Sequence, residues 1–127
     1  MTLDTRREIT ETTFDQILML SESKGAAYSG SIDTLANFKR NADVCGITPF
    51  QTWLVYAAKH WDTIINSIKQ NPSYPIDKTE GLDGRINDLI TYLILLKCLL
   101  VELDSKETVI LGNNCVVSGS SSIRNLI

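Results

Sequence analysis

Apolar residues recur at helical spacing in four stretches of the chain, and then the pattern changes. In the first stretch, within Asp4–Ser23, Phe14, Ile17, Leu18 and Ser21 fall on one face of a helix, with Ile9 and Met19 widening it. The Ser- and Gly-rich run SESKGAAYSGS then predicts a loop, which carries Lys24 and Tyr28. Ser31 suits the N-cap of a second helix, with Asp33 in its first turn and Leu35, Phe38 and Ala42 as its apolar stripe. Asn37 and Arg40 project elsewhere, and Gly46 reads as the residue that ends the helix.

The third stretch has the clearest signals. Thr48 is an N-cap and Pro49 takes the first helical position, where its missing N–H costs nothing. From Phe50 through Trp53, Leu54, Ala57, Trp61, Ile64, Ile65 and Ile68 the apolar stripe is unbroken, and Asn71-Pro72 stops it. Lys59 lies across the helix from this stripe, and His60 and Asp62 lie near its edges. Val55 and Tyr56 fall off the stripe, which suggests that a neighbouring subunit covers the outer face.

The fourth stretch follows the loop NPSYPIDK. Asp77-x-x-Glu80 has capping-box spacing, with Thr79 as the alternative cap. Successive helical residues turn by about 100°, so Glu80, Gly84, Asn87 and Thr91 share a narrow polar face, opposite Leu82, Ile86, Leu89 and Leu93. Beyond Tyr92 the polar face is replaced by Ile94, Leu95 and Cys98. A helix apolar all round must be buried all round, and this half is expected to build a homo-oligomer, dimer or higher, as well as the core. After Asp104 the chain becomes β-branched and rich in Gly, Asn and Ser. Val109–Leu111 and Cys115–Val117 flank Gly-Asn-Asn, which reads as a β-hairpin or a flexible tail. The expected architecture is all-α: a four-helix-bundle-like domain over residues 1–104 and a tail or hairpin over residues 105–127.

Composition narrows the function. With 127 residues and a net charge of −3, the chain has no basic excess for a long nucleic acid. Its N-terminus lacks the apolar core of a signal peptide, and the run Ile90–Leu103 is interrupted by Thr91, Lys97 and Glu102, so no membrane segment is expected. Cys45, Cys98 and Cys115 have no metal-ligand spacing with one another or with His60 and read as reduced, buried thiols. Glu80 and Asp83 stand one helical turn apart, as a pair of carboxylates over magnesium would require. Acids at that position also serve the helix dipole alone. Asp88 lies about 12 Å further along the axis and needs other partners.

Taken together, Lys24-x-x-x-Tyr28, Asn37-Phe38, Lys59-His60 and EGLDGRINDLITYL resemble the phage and bacterial family called nucleotide modification associated domain, type 1. The likeness covers about Phe14 to Glu102. That family is in turn similar to the MazG-like all-α nucleoside triphosphate pyrophosphatases, in which acids on adjacent helices hold magnesium and water attacks the phosphate chain. The resemblance implies a nucleotide ligand in the cytoplasm of a bacterium or phage-infected bacterium. It implies catalytic acids at Glu80 and Asp88 and magnesium held by Glu80 and Asp83. Lys24, Lys59 and Arg85 would then meet phosphate oxygens, with His60 beside them. Tyr28 or Phe38 would stack on the base and Asn37 would read its edge. The catalytic pattern departs from the family in two places. Arg85 stands where a Glu belongs, and the third helix has no Glu, its only acid being Asp62. Two readings follow: a magnesium-dependent phosphohydrolase, or a non-catalytic protein that sequesters a nucleotide signal used in host defence. Periodicity alone supports a third, a purely structural helical oligomer.

Overall fold

The computed structural model describes residues 1–30 and 32–111. They form an all-α, bundle-like fold of four helices: α1 (Leu3–Ser29), α2 (Ala36–Cys45), α3 (Pro49–Gln70) and α4 (Leu82–Leu111). Each helix packs on its neighbours in a ring, α1 on α2, α2 on α3, α3 on α4 and α4 on α1, with α3 and α4 making the widest contact. No helix among the described residues is long and apolar enough to cross a membrane.

Local chemistry explains most of the helix ends. Thr2 caps α1, its hydroxyl accepting the Thr5 amide at 3.2 Å. The helix then runs on through the predicted loop SESKGAAYS and stops only at Gly30, whose φ of 74° is open to glycine. Ser costs a helix only tenths of a kcal/mol, the two alanines favour it, and the run contains no proline. Lys24 and Tyr28 are therefore in the last turns of α1. The N-cap expected at Ser31 lies outside the described residues, and α2 starts later, at Ala36. Asp33 precedes it in a turn of its own, its carboxylate accepting the Leu35 amide at 3.0 Å. Gly46, at φ 66°, closes α2 as expected, donating to Ala42 and Asp43 while Ile47 donates to Ala42. At α3, Thr48 and Gln51 complete a reciprocal capping box ahead of Pro49.

The core centres on Leu35, Phe38 and Leu99, with Phe50, Trp53, Tyr56, Tyr92 and Leu95 against it. Phe38 is 1% exposed, and its ring meets Tyr56 at 5.8 Å and Tyr92 at 6.3 Å between centroids. The Trp53 indole N–H donates to the backbone carbonyl of Tyr92, tying α3 to α4. Lys39 joins α2 to α4, bridging Asp33 and Glu102 at 2.7 Å each.

Three expectations are corrected here. α3 does not bury the centre of its apolar stripe: Thr52, Ala57, His60 and Ser67 face inward, while Leu54, Trp61 and Ile68 are exposed. Thr52 and Ser67 tolerate burial because each hydroxyl donates to the carbonyl one turn back. Cys45 and Cys98 are exposed rather than buried. Val109–Leu111 is not a strand, since α4 continues to Leu111. Extending a nucleated helix outweighs the small penalty of its β-branched residues. The rest of the predicted hairpin or tail lies outside the described residues.

Candidate functional site

The start of α4 is organised by Arg85. Its Nε donates to Asp77 Oδ2 at 3.0 Å, its Nη2 to the Thr79 hydroxyl at 3.2 Å, and its Nη1 lies 3.0 Å from Glu80 Oε2. Asp77 also accepts both the amide and the hydroxyl of Thr79, at 3.0 and 2.7 Å. These Thr79 hydrogen bonds first, and Arg85 after them, hold the Asp77 carboxyl well below the usual carboxylate range. Asp77 thus stabilises the turn before the helix and does not cap it, and α4 begins at Leu82.

This arrangement dissolves the expected metal pair. Glu80 precedes the helix, so it does not stand one helical turn from Asp83, and its carboxylate is held by Arg85. Asp83 is exposed in the first turn of α4, an ordinary place for an acid. Among the described residues no three His, Cys, Asp or Glu side chains are grouped as ligands for a metal ion. The residues present do not fit magnesium held by Glu80 and Asp83.

One turn further along, three helices converge on Asp88. Lys24 from α1 places Nζ 3.3 Å from Asp88 Oδ1, and His60 from α3 places Nδ1 3.6 Å from Asp88 Oδ2. Asp88 is mostly buried, its side chain 17% exposed, whereas Lys24 is over half exposed. His60 is 4% exposed, and its Nδ1 is sealed from solvent with no hydrogen-bond partner. Burial pushes the imidazole below its ordinary pKa, helped by Lys59 and Arg85 and opposed by Asp88 and Glu80. The ring is therefore neutral at pH 7, and it leans on Tyr92 with centroids 5.3 Å apart. Burial also raises the Tyr92 phenol, with smaller contributions from Asp88, Tyr56 and Tyr28. Beside this group Asn87 is buried and donates to Gln16 of α1 at 3.0 Å.

Lys24, Tyr28, His60, Arg85 and Asp88 therefore gather at one junction, with Glu80 at its edge through Arg85. Lys59 is exposed next to His60 in the chain. Asn37 and Phe38 are not on the open side of the cluster: Phe38 backs onto Tyr92 from the core. The Asn37 carbonyl accepts the Ser29 hydroxyl at 3.0 Å, fastening the end of α1 to α2, and Phe38 is locked in the core. Neither presents a free surface to a base. Sequence reasoning missed Gln16 and Tyr92 as members of the cluster and left Asp77 and Thr79 as alternative caps, whereas both belong to the turn before α4. Tyr92 sits one turn beyond Asp88 on α4, which was the available signal. Gln16 had none, because its partner is 71 residues away.

Chemically, the junction offers a displaceable cation at Lys24, a neutral imidazole, a carboxylate and aromatic rings. Lys24 is over half exposed and Asp88 mostly buried, so a ligand that draws Lys24 onto an anion must also supply a donor to the carboxylate it leaves. Comparison with known protein families, with curated proteins and with solved structures finds no match to this chain.

Proposed function

We propose that this protein binds a nucleotide at the junction of α1, α3 and α4 and holds it without cleaving it. The observation that carries the reading is the sealed, unpartnered Nδ1 of His60 facing Asp88 at 3.6 Å. A buried polar atom without a partner is uncommon and costs stability. A neutral imidazole nitrogen that faces a carboxylate carries the ring proton, so a ligand hydroxyl, which accepts and donates at once, can bridge the Nδ1–H to Asp88. Lys24 takes the phosphate, and Tyr28, exposed one turn beyond Lys24, stacks on the base.

Retention is favoured over hydrolysis by the state of the acids. Magnesium beside a phosphate chain needs carboxylates free to coordinate it. Glu80 and Asp77 are held by Arg85, and Asp88, once Lys24 has moved to the phosphate, is a single carboxylate with no second acid grouped beside it among the described residues. The reading fits a protein that sequesters a signalling nucleotide. Its test is incubation with ribo- and deoxyribonucleoside mono- and triphosphates and cyclic mono- and dinucleotides, with and without magnesium. Denaturation and mass analysis follow. Recovery of one intact nucleotide, lost in Asp88→Asn and Lys24→Gln, supports it. A shortened product that requires magnesium shows a hydrolase instead, and no bound or altered nucleotide refutes both.

A further inference from the structure

We propose that the protein is a dimer formed by antiparallel pairing of α1 with α1 of a second copy, and that this pairing brings Arg7 of the partner subunit beside Lys24.

α1 is 27 residues long, about 40 Å. Every one of residues 1–12 is exposed, so the first half of the helix lies on none of the described residues of its own protomer. A helix that short is marginal in water without a packing partner. The side of α1 that meets its own protomer carries Ile17, which is buried, Gln16 and Lys24, which contact α4. About 100° around the helix runs a second face at helical spacing, uncovered and partly apolar, which includes Phe14 at 53% and Leu18 at 63% exposure.

This face is self-complementary when one copy is reversed about a point between Asp15 and Gln16. Phe14 then meets Leu18 of the partner subunit. Further out, Thr10 meets Ser21, where two small side chains let the backbones approach. Arg7 meets Gly25, a long side chain against none. At the end Leu3 meets the ring of Tyr28, and both are exposed in the protomer. A two-fold axis makes each of these contacts twice. Gly25 is otherwise unexplained. Glycine is a poor residue inside a helix, and a Cβ built there meets nothing within 4 Å in the protomer. Four large apolar side chains per copy, each more than half exposed, contribute roughly 100 Å² apiece. Over two copies that is about 800 Å², and the seam's Arg7, Thr10, Ser21 and Gly25 add to it towards the ~1,200 Å² of a specific interface.

The dimer stands on these observations alone. Its consequence for the ligand rests on the proposed nucleotide site. Arg7 of the partner subunit, set against Gly25, lies between Lys24 and Tyr28 along α1. It adds a guanidinium to the lone lysine, which suits a phosphate chain better than a single phosphate.

Sedimentation of the whole chain at micromolar concentration should give twice the 14.1 kDa chain mass. Phe14→Glu combined with Leu18→Glu should halve that mass and leave the helical circular dichroism unchanged, because both side chains are exposed in the protomer. With the cysteines replaced by serine, an oxidised mixture of Thr10→Cys and Ser21→Cys should give a cross-linked dimer, and neither variant alone should. A monomeric wild type, a dimer that survives the double Glu variant, or cross-linking of Thr10→Cys to itself would overturn the pairing. Binding of inorganic triphosphate by calorimetry tests the second part. Lys24→Gln and Arg7→Gln should each weaken it about tenfold, with the dimer mass unchanged. If only Lys24→Gln weakens it, Arg7 is misplaced while the site stands. If the wild type binds no triphosphate, or neither variant matters, the site reading fails, and the mass and cross-linking results still decide the dimer.

Discussion

Replacing Phe38 separates a core residue from a ligand residue, two roles that the same Asn-Phe motif can suggest. Its ring is 1% exposed and touches Tyr56 of α3 and Tyr92 of α4. Phe38→Ala removes that ring from a site closed on all sides. Large-to-small changes of this kind cost about 3–5 kcal/mol, the lost transfer energy plus the cavity left behind. The two aromatic contacts place the change towards the upper end. Against a total stability of about 5–15 kcal/mol for a small domain, the variant is at or near the edge of folding at 37 °C. Phe38→Leu keeps most of the volume and should cost only about 1–1.5 kcal/mol. Urea unfolding followed by circular dichroism measures both, and nucleotide binding is measured on the Leu variant, which stays folded. The reasoning predicts a large loss of stability for Ala, a small one for Leu, and unchanged affinity for Leu. It is refuted if Phe38→Ala unfolds within about 1 kcal/mol of the wild type while binding is lost in both variants, because Phe38 would then be a stacking platform.

Acid should destabilise the protein in two steps. Buried His60 holds its pKa below the ordinary ~6.5, so as pH falls the unfolded chain takes a proton before the folded one does. Its contribution is complete above about pH 6.5 and lost as pH falls towards the folded pKa, and His60→Gln should flatten this limb of a urea-denaturation series. Asp77, Asp33 and Glu102 are all held below their ordinary values. Their contributions are present above about pH 4 and lost below it. Thr79→Val, which removes the hydroxyl that most lowers Asp77, should shallow this second limb, and an unchanged slope would count against that hydrogen bond. Thr48→Ala deletes half of the capping box on α3 and should cost about 1 kcal/mol by the same assay. A loss below a few tenths would show that tertiary packing alone fixes that end.

The helix starts and stops that the sequence made legible are those whose partners are close in the chain. Thr48, Gln51 and Pro49 define the start of α3 within four residues, and Gly46 ends α2 by its own backbone freedom. What was not legible depends on distant partners or on cooperativity. The predicted loop at SESKGAAYS stays helical because no residue in it costs enough to end a helix already formed. The inward face of α3 is set by α2 and α4, and the self-satisfied hydroxyls of Thr52 and Ser67 let it rotate away from its most apolar line. The capping box expected at Asp77 fails because Thr79 and Arg85 compete for the same carboxylate and prevail.

The same limit applies to the candidate site, and there it bears on the chemistry. A sequence displays its acids but not the cations that neutralise them. Glu80, Asp83 and Asp88 read as a carboxylate cluster because they are near one another in the chain. In the fold, Glu80 belongs to Arg85, Asp83 to solvent, and Asp88 to Lys24 and His60. Arg85, which stands where the resemblance expects a Glu, is also the residue that takes Glu80 out of play. One residue thus removes an acid and neutralises another. Lys24 differs in kind from Arg85. Arg85 is fixed by three acceptors and mostly buried, whereas Lys24 has a single partner and is over half exposed. Of these two cations, Lys24 is the more available to a phosphate. Its departure leaves the Asp88 carboxylate facing the His60 Nδ1–H, which favours a ligand that brings an anion to Lys24 and a hydroxyl to bridge the other two.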